Sequence, residues 1–314
     1  MVWKINMKRN RNLLKGFKHL LGYFFPRKIK DIINSIIEDP IIVKYYFHCK
    51  KDSKTNLLKI KKNKIQNNPS IAIQIHVFYP DIINELYTYL KFINIQFDLF
   101  ITTDSLQKKN EIEFFFKKNL LQTSRIKIDC VENKGRDIWP FLQQIHYIAN
   151  NYDFIIHLHT KKSLHSNIGN SWRKYLYKNI LGKGNYFSTL IANIQNDETI
   201  GFISPAPYMK VLKSYYDNLK NPLYNDMINS LLQKLNITNT CSSLYEKKFP
   251  SGNMFIARTN AIRQLLDYPF TSDDFPEELG QLNGTLQHII EFIWFYIVNF
   301  NNYTYKYCKY KKTL

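Results

Sequence analysis

The sequence has few cysteines and no long apolar run. Its four cysteines form no Cys-x-x-Cys pair, so neither a disulfide framework nor a thiolate zinc site is predicted, and a reducing compartment fits best. No stretch approaches the roughly 18 consecutive apolar residues that a transmembrane helix needs. The single candidate for a signal-peptide core is interrupted by Lys15 and Lys18, so no signal peptide is predicted.

Acidic residues are also scarce. The chain has 25 acidic and 44 basic residues, which gives a formal net charge of +19. Such an excess favours anionic partners, namely nucleic acid, lipid headgroups or nucleotide phosphates. The alternative is the coding bias of an A/T-rich genome, because Lys, Asn, Ile, Phe and Tyr are all abundant. With 45% hydrophobic residues, the chain is predicted to be globular rather than disordered.

The first 35 residues carry nine Lys or Arg and one acid, Asp31. Leucines and phenylalanines recur there at helical spacing, which predicts a basic amphipathic helix able to lie in a membrane interface. A helix packed on the protein's own core is the alternative. Residues 50–70 are polar and predict a linker. We therefore predict a basic, partly helical extension over 1–69 and a main domain over 70–314.

After Pro69, short apolar runs alternate with amphipathic helices. The runs are Ile71–Phe78, Asp98–Thr102, Ile126–Val131 and Asp153–Leu158. This alternation predicts βαβ units and an α/β nucleotide-binding fold with a mainly parallel central sheet, covered on both faces. In such sheets ligands bind beyond the carboxyl ends of the strands.

All four predicted strands end in polar residues, which favours a ligand site at that edge. The residues are His76 and Tyr79 after the first strand, Thr103 and Asp104 after the second, Asn133 to Asp137 after the third, and His157 to Ser163 after the fourth. A strand that bound nothing would need only a short turn at its end.

The fourth of these segments is rich in groups that bind phosphate. His157 and His159 share one face of a strand, and Lys161, Lys162 and Ser163 follow. Lysines neutralise a diphosphate, and imidazoles and hydroxyls donate hydrogen bonds to it. A metal bound by the two histidines is the rival interpretation, but no carboxylate is adjacent and the lysines would repel a divalent cation. A solvated loop is the third interpretation.

Two loops add candidates. Gly135 permits a tight turn, after which Arg136 could reach a phosphate and Asp137 could cap a helix. A simple turn with a cap explains the same residues. Glu277 and Glu278 precede a later helix, where one of them could be a catalytic base. Acids in that position also complement a helix dipole without any catalytic role.

Together these segments resemble the rhamnan synthesis protein F family of bacterial polysaccharide glycosyltransferases, over roughly residues 70–295. The resemblance lies in six motifs in the same order: Asn133-x-Gly-Arg-Asp137 with Pro140-Phe141, His157-x-His-Thr-Lys-Lys-Ser163, Trp172-Arg173, Ile200-Gly-Phe202 leading to Pro205, Gly252-x-Met-Phe255 with Arg258, and Phe275-Pro-x-Glu278 running on to Gly284-Thr-Leu-x-His288 and Glu291.

The resemblance implies a GT-A-like fold and an inverting transfer from a nucleotide-sugar donor. Glu278 would be the base. The donor would be bound by His76, Tyr79, Asp104, Asn133, Gly135, Arg136, Asp137, His157, His159, Lys161, Lys162 and Ser163. The acceptor side would be formed by Trp172, Gly252, Asn253, Phe255 and His288.

Two departures from the pattern bear on this expectation. Typical GT-A enzymes hold a divalent metal with Asp-x-Asp at the end of the fourth strand, where this chain has His157-x-His159. No metal is therefore expected to be required, with Mg²⁺ or Mn²⁺ on the two histidines as the alternative. Asn283 stands where Asp is expected before Gly-Thr, so that residue is not the base.

The family's name implies dTDP-L-rhamnose as donor. A lipid-linked or polysaccharide acceptor, in lipopolysaccharide or capsule assembly, and a peripheral location on the cytoplasmic face of the bacterial plasma membrane complete the expectation. A basic nucleic-acid-binding protein is one alternative, although no helix-turn-helix, zinc-finger or RNP-type motif supports it and no nucleic-acid partner is expected. A non-catalytic carbohydrate-binding protein on a transferase fold is the other.

Overall fold

The computed structural model describes residues 40–119, 121–123, 125–146, 148–160, 162, 168–241, 247–281 and 283–311. Within these ranges there are ten α-helices and seven β-strands, joined by short 3₁₀ turns. In chain order they are α1 (Pro40–Thr55), β1 (Ile71–His76), α2 (Ile83–Leu90), β2 (Asp98–Thr103), α3 (Leu106–Lys118), β3 (Arg125–Cys130), α4 (Ile138–His146), β4 (Phe154–His159), α5 (Gly169–Ile180), α6 (Tyr186–Asn196), β5 (Ile200–Pro205), α7 (Leu212–Leu219), α8 (Leu223–Lys234), β6 (Phe255–Arg258), α9 (Arg263–Asp267), α10 (Leu286–Phe300) and β7 (Thr304–Cys308).

The described strands form one sheet in the order β3-β2-β1-β4-β6-β5-β7. Strands β1 to β4 run parallel to one another, β6 is antiparallel to both β4 and β5, and β5 pairs parallel with β7. The carboxyl end of β4 therefore lies beside the amino end of β6. This places the segment before Phe255 next to His159, which contacts the Gly252 carbonyl.

Helices cover both faces of the sheet, as the continuous apolar strands require. One core lies under α4, α8 and α10 and contains Phe141, Trp294 and Ile293. The other lies under α2, α5 and α6 and contains Leu86 and Leu190.

The predicted α/β class and mainly parallel sheet are confirmed. The four predicted strands β1 to β4 are present, with ends within a few residues of those predicted. Strand β7 and the helices α5 to α8 were not predicted from the sequence. The antiparallel direction of β6 was also not predicted, because a strand's apolar pattern does not encode the direction of its neighbour.

Helix α1 differs most from the expectation. Residues 50–55, expected to lie in a linker, continue the helix, and Tyr45 packs on Tyr216 with ring centroids 5.6 Å apart. The buried carboxylate of Asp52 accepts hydrogen bonds from the hydroxyls of Tyr305 and Tyr307, each at 2.9 Å. Part of the predicted extension is thus packed against the sheet.

The basic helix predicted within residues 1–35 lies outside the described residues. Across the described ranges, no helix is both long enough and apolar enough to cross a bilayer.

Candidate active site

Two neighbouring strands bring three predicted residues together. In the parallel pairing of β1 with β4, Gln74 lies opposite His157 and His76 opposite His159. The two β4 histidines share a face, as alternation predicts, and their ring centroids are 5.9 Å apart. His157 is fully buried, whereas His76 and His159, one residue pair nearer the carboxyl ends, are each 5% exposed.

The loop after β3 delivers Asp137 to these histidines. Gly135 and Arg136 both have left-handed backbones, with φ of 61° and 54°. A Cβ on Gly135 would lie 2.6 Å from Cβ of Trp139 and 2.7 Å from the Phe275 ring, so the turn requires glycine. Asp137 then points into the cluster, where its carboxylate bonds to other side chains.

Asp137 accepts hydrogen bonds from two buried side chains on the same oxygen, Oδ2. Asn253 Nδ2 donates at 2.6 Å and His157 Nε2 lies at 3.2 Å. The indole of Trp294 donates from Nε1 to Asn253 Oδ1 at 2.8 Å. Because an indole nitrogen can only donate, this bond fixes the Asn253 amide with its NH₂ group towards Asp137.

Both ring nitrogens of His157 have a buried partner. Its Nδ1 lies 2.7 Å from Gln74 Oε1, while Gln74 Nε2 donates to Thr102 Oγ1 at 3.1 Å. Its Nε2 lies 3.2 Å from a carboxylate oxygen of Asp137, which accepts, so Nε2 donates to Asp137. This bond ties the end of β4 to the loop after β3.

The pKa values of the neighbouring groups fit this arrangement. For Asp137, burial raises the pKa, but His159, His157 and the Asn253 hydrogen bond outweigh it and hold the pKa well below its usual range. Burial lowers the pKa of His76 to about 4, so its imidazole is neutral near pH 7. His76 Nδ1 lies 3.1 Å from the Thr102 hydroxyl.

A tight turn before β6 completes the cluster. Gly252 has a φ of 91°, and a Cβ there would meet Leu176 at 2.7 Å and Trp172 at 3.1 Å. Its carbonyl lies 3.0 Å from His159 Nε2, and its N–H donates to the Tyr215 hydroxyl at 3.1 Å. His159 Nε2 therefore donates to a backbone oxygen and is held in place by the turn.

The predicted base and the predicted phosphate ligand contact each other. Glu278 accepts from the backbone N–H of Arg136 at 3.2 Å and pairs with its guanidinium, with Nε 3.7 Å from Oε2. Gln287 Nε2 also donates to Glu278 at 3.0 Å. The Glu278 side chain is 14% exposed, whereas Glu277 is 70% exposed and pairs with Lys134. Since Arg136 precedes Asp137, the Glu278 group adjoins the histidine cluster.

Charged pairs border the site at the ends of β1 and β2. Lys162 Nζ lies 2.5 Å from Asp81 and 4.9 Å from the centre of the Tyr79 ring. Asp104 pairs with Lys108 at 2.6 Å. Both lysines already have acidic partners, so an anionic ligand would compete with those acids.

The remaining predicted residues are less central. Asn133 is exposed on the loop after β3. Phe255 is buried in the core, 5.5 Å from the His157 ring, and so supports that ring from behind. Trp172 is buried under the Gly252 turn, and His288 Nδ1 lies 2.5 Å from the Thr285 hydroxyl. Lys161 and Ser163 lie outside the described residues.

Four members of the cluster were not among the predicted site residues: Gln74, Thr102, Trp294 and Tyr215. Gln74 could have been found, because it is a polar residue within an apolar strand and lies two positions before His76. Trp294 could not, because a tryptophan on an apolar helix gives no indication of its hydrogen-bond partner.

The described residues contain no cluster of three or more His, Cys, Asp or Glu side chains arranged to hold a metal ion. The Nε2 atoms of His157 and His159 are directed at Asp137 and the Gly252 carbonyl, respectively, and are not free to ligate. A cavity of about 290 Å³ lies at the opposite edge of the sheet, beside Ser70, Asp153 and Arg258, and not at the histidine cluster.

The fold and the cluster define an α/β protein with a polar, buried-charge site at the carboxyl edge of a mostly parallel sheet. The sequence profile of rhamnan synthesis protein F matches residues 35–303, which is most of the chain. The protein belongs to this family, and membership implies a role in rhamnan or polysaccharide synthesis.

Two curated relatives, both named uncharacterized protein WxcX, come from two strains of Xanthomonas campestris pv. campestris. Each is 29% identical to this chain over 225 residues, which is 71% of this chain and 30% of the relative. The chain thus spans less than a third of the length of these relatives.

Proposed function

We propose that the protein is a GT-A-like glycosyltransferase that moves a sugar from a nucleotide-sugar donor to a growing bacterial surface polysaccharide. L-Rhamnose from dTDP-L-rhamnose is the first donor to test, because the family is named for rhamnan synthesis. The acceptor is a lipid-linked or polysaccharide chain. The enzyme works on the cytoplasmic face of the plasma membrane.

One observation carries the proposal: the cluster of His76, His157, His159 and Asp137 at the carboxyl edge of the sheet. Ligands of open α/β sheets bind at this edge. The cluster contains the buried carboxylate of Asp137, and a buried charge costs several kcal/mol unless it is paired or hydrogen-bonded. Perturbed, buried titratable groups of this kind concentrate at functional sites.

The proposed reaction is a single displacement with inversion. The acceptor oxygen forms a bond to the anomeric carbon as the bond from that carbon to the donor's phosphate oxygen breaks. The acceptor proton passes to the carboxylate of Glu278, and the nucleoside diphosphate leaves with both electrons of the broken bond. Arg136, Lys161 and Lys162 stabilise the charge on the leaving group.

The diphosphate is bound without a required metal. Where a metal ligand would stand, the Nε2 atoms of His157 and His159 contact the Asp137 carboxylate and the Gly252 carbonyl, respectively. We expect transfer to persist in EDTA, and Lys161→Ala to weaken donor binding by about 1–3 kcal/mol. Full loss of transfer in EDTA that Mn²⁺ restores would overturn this part of the proposal and make His157 and His159 ligand candidates.

The test of function is incubation of the purified full-length protein with a panel of nucleotide sugars. Release of nucleoside diphosphate is measured with and without polysaccharide acceptors. We expect slow hydrolysis of one donor, accelerated by the right acceptor. Asp137→Asn is the inactive control, because it removes the carboxylate that His157 and Asn253 contact.

Other outcomes favour the other functions. Saturable binding of oligosaccharides without any donor turnover would indicate a carbohydrate-binding protein. Tight binding of nucleic acid, together with no response to any nucleotide sugar, would indicate the basic nucleic-acid-binding alternative.

A further inference from the structure

Helix α1 carries one exposed aromatic side chain among lysines, and we propose that this face docks on an anionic membrane surface. The face, here called the basic ridge, consists of Phe47 with Lys44, Lys50, Lys51 and Lys54. The inference concerns binding, not chemistry, and its consequence for the acceptor rests on the proposed function.

Helical geometry separates the basic ridge from the buried face. Ile42, Tyr45 and Asp52 point towards the core and are each less than a tenth exposed. The lysines lie three, four and seven residues from Phe47, which puts them on its side of the helix. Phe47 itself is 67% exposed.

The charge of the ridge is not neutralised within the helix. Asp52 is the single acid in the sequence of α1, and its carboxylate faces inward to Tyr305 and Tyr307. A lysine that does pair with Asp52, Lys248, comes from outside the helix. The outer face is therefore cationic, with a large apolar side chain in its middle.

A bilayer with anionic lipid fits this face in both respects. Aromatic side chains enter the boundary between headgroups and acyl chains, and lysines beside them attract anionic headgroups. The chain that leads into α1 has the same chemistry, since its first 35 residues carry nine basic residues among regularly spaced leucines and phenylalanines.

Because α1 is hydrogen-bonded to β7, docking of the basic ridge would also orient the sheet on the membrane. Asp52 ties the helix to β7, and the backbone N–H of Leu58 donates to Tyr307 O at 2.8 Å. A ridge on a helix fixed in this way would hold the whole sheet in one orientation above the bilayer. A lipid-linked acceptor, if the proposed function holds, would then be presented at a fixed height.

Co-sedimentation of the full-length protein with phosphatidylcholine vesicles, with and without phosphatidylglycerol, tests the proposal. Phe47→Ser should weaken binding to the anionic vesicles about tenfold. Lys44→Glu and Lys51→Glu should each weaken it at least about fivefold. Phe47→Trp should keep or strengthen it, because tryptophan favours the interface.

Phe114 provides the matched control. It is an exposed phenylalanine on another helix, α3, with Lys118 Nζ 4.1 Å from its ring centre. Phe114→Ser should leave vesicle binding unchanged. Equal losses for Phe47→Ser and Phe114→Ser, or no loss for either, would overturn the proposal.

A second pair of measurements separates the partners and the functions. If the lysine reversals abolish binding to a single-stranded oligonucleotide as well as to vesicles, while Phe47→Ser changes neither, the ridge binds polyanions and the membrane proposal fails. Donor hydrolysis in solution should be the same for Phe47→Ser and wild type. Failure of vesicle binding therefore does not bear on the transfer reaction.

Discussion

At the scale of single residues, Glu278 and Glu277 are a natural test pair. They are adjacent, yet Glu278 contacts Arg136 and Gln287 while Glu277 is exposed. Glu278→Gln keeps the shape and removes the basicity, so transfer should fall about 10²–10⁴-fold, the usual worth of a positioned base. Glu277→Gln should stay within a few-fold of wild type. Initial rates of transfer measure both.

The ion pair with Arg136 offers a second role for Glu278, and donor affinity separates the two. If Glu278 is the base, donor binding measured by calorimetry changes little in Glu278→Gln. If it only holds Arg136 towards the diphosphate, donor binding weakens and the transfer rate at saturating donor recovers. Normal transfer by Glu278→Gln with a dead Glu277→Gln would move the assignment by one residue.

The lowered pKa of His76 predicts how the stability of the protein depends on pH. The unfolded chain protonates this imidazole near pH 6.5, but the folded protein does so only near 4. Between these values the unfolded state binds more protons, so the free energy of unfolding falls as the pH falls. The group accounts for about 3 kcal/mol of that loss.

His76→Asn removes the titrating group and keeps a polar atom near Thr102. Urea unfolding of the variant between pH 6.5 and 4 should give a shallower loss of stability than wild type. Parallel curves for the two proteins would show that His76 is not buried as a neutral imidazole.

At the scale of secondary-structure elements, much of the first half of the sheet could be predicted. Strands β1 to β4 are continuous apolar runs because both of their faces are covered, and their polar ends lie together at one edge of the sheet. Strand β7 was missed because its sequence, Thr-Tyr-Lys-Tyr-Cys, is not a continuous apolar run like the other four; its alternation of polar and aromatic residues is typical of a short strand with one covered face.

The site divided in the same way. His157, His159 and Asp137 were predicted because each lies at a strand end. The contacts among them were not predicted. The hydrogen bond between Asn253 and Asp137 joins residues 116 positions apart in the sequence, and the two residues meet because β6 runs antiparallel to β4. Periodicity predicts faces and ends but not which loops meet.

The Gly252 turn couples β6 to α5 and gives a prediction at this scale. Gly252→Ala meets both a left-handed backbone and Leu176 at 2.7 Å, whereas Gly184→Ala meets a similar backbone with open space around it. We expect Gly252→Ala to lower the free energy of unfolding by at least about 1 kcal/mol more than Gly184→Ala does, because overpacking against Leu176 adds to the backbone strain. Urea unfolding measures the difference.

Nucleotide binding by the same two variants gives a second test of the Gly252 turn. The Gly252 carbonyl holds His159, so a shifted turn in Gly252→Ala should also weaken nucleotide binding, while Gly184→Ala should bind normally. Equal stability of the two variants would mean that α5 yields easily at Leu176 and that the turn is not tightly packed.

At the scale of the whole molecule, the question is where the folded unit begins. The sequence predicts a boundary at residue 70, whereas the family profile begins matching at residue 35 and α1 packs from residue 40 onwards. Removing α1 would expose the core around Tyr216 and leave the hydroxyls of Tyr305 and Tyr307 without the carboxylate of Asp52.

Two truncated chains, 36–314 and 70–314, test the boundary. The longer one should melt at the temperature of the full-length protein. The shorter one should melt several degrees lower, because each buried apolar side chain of α1, such as Ile42 or Tyr45, contributes about 1.5–3 kcal/mol and the lost hydrogen bonds add to this. Asp52→Ala in the full-length protein isolates the hydrogen-bond part and should fall between the two. If residues 70–314 melt at the same temperature as residues 1–314, the boundary at residue 70 is right and α1 contributes little to stability.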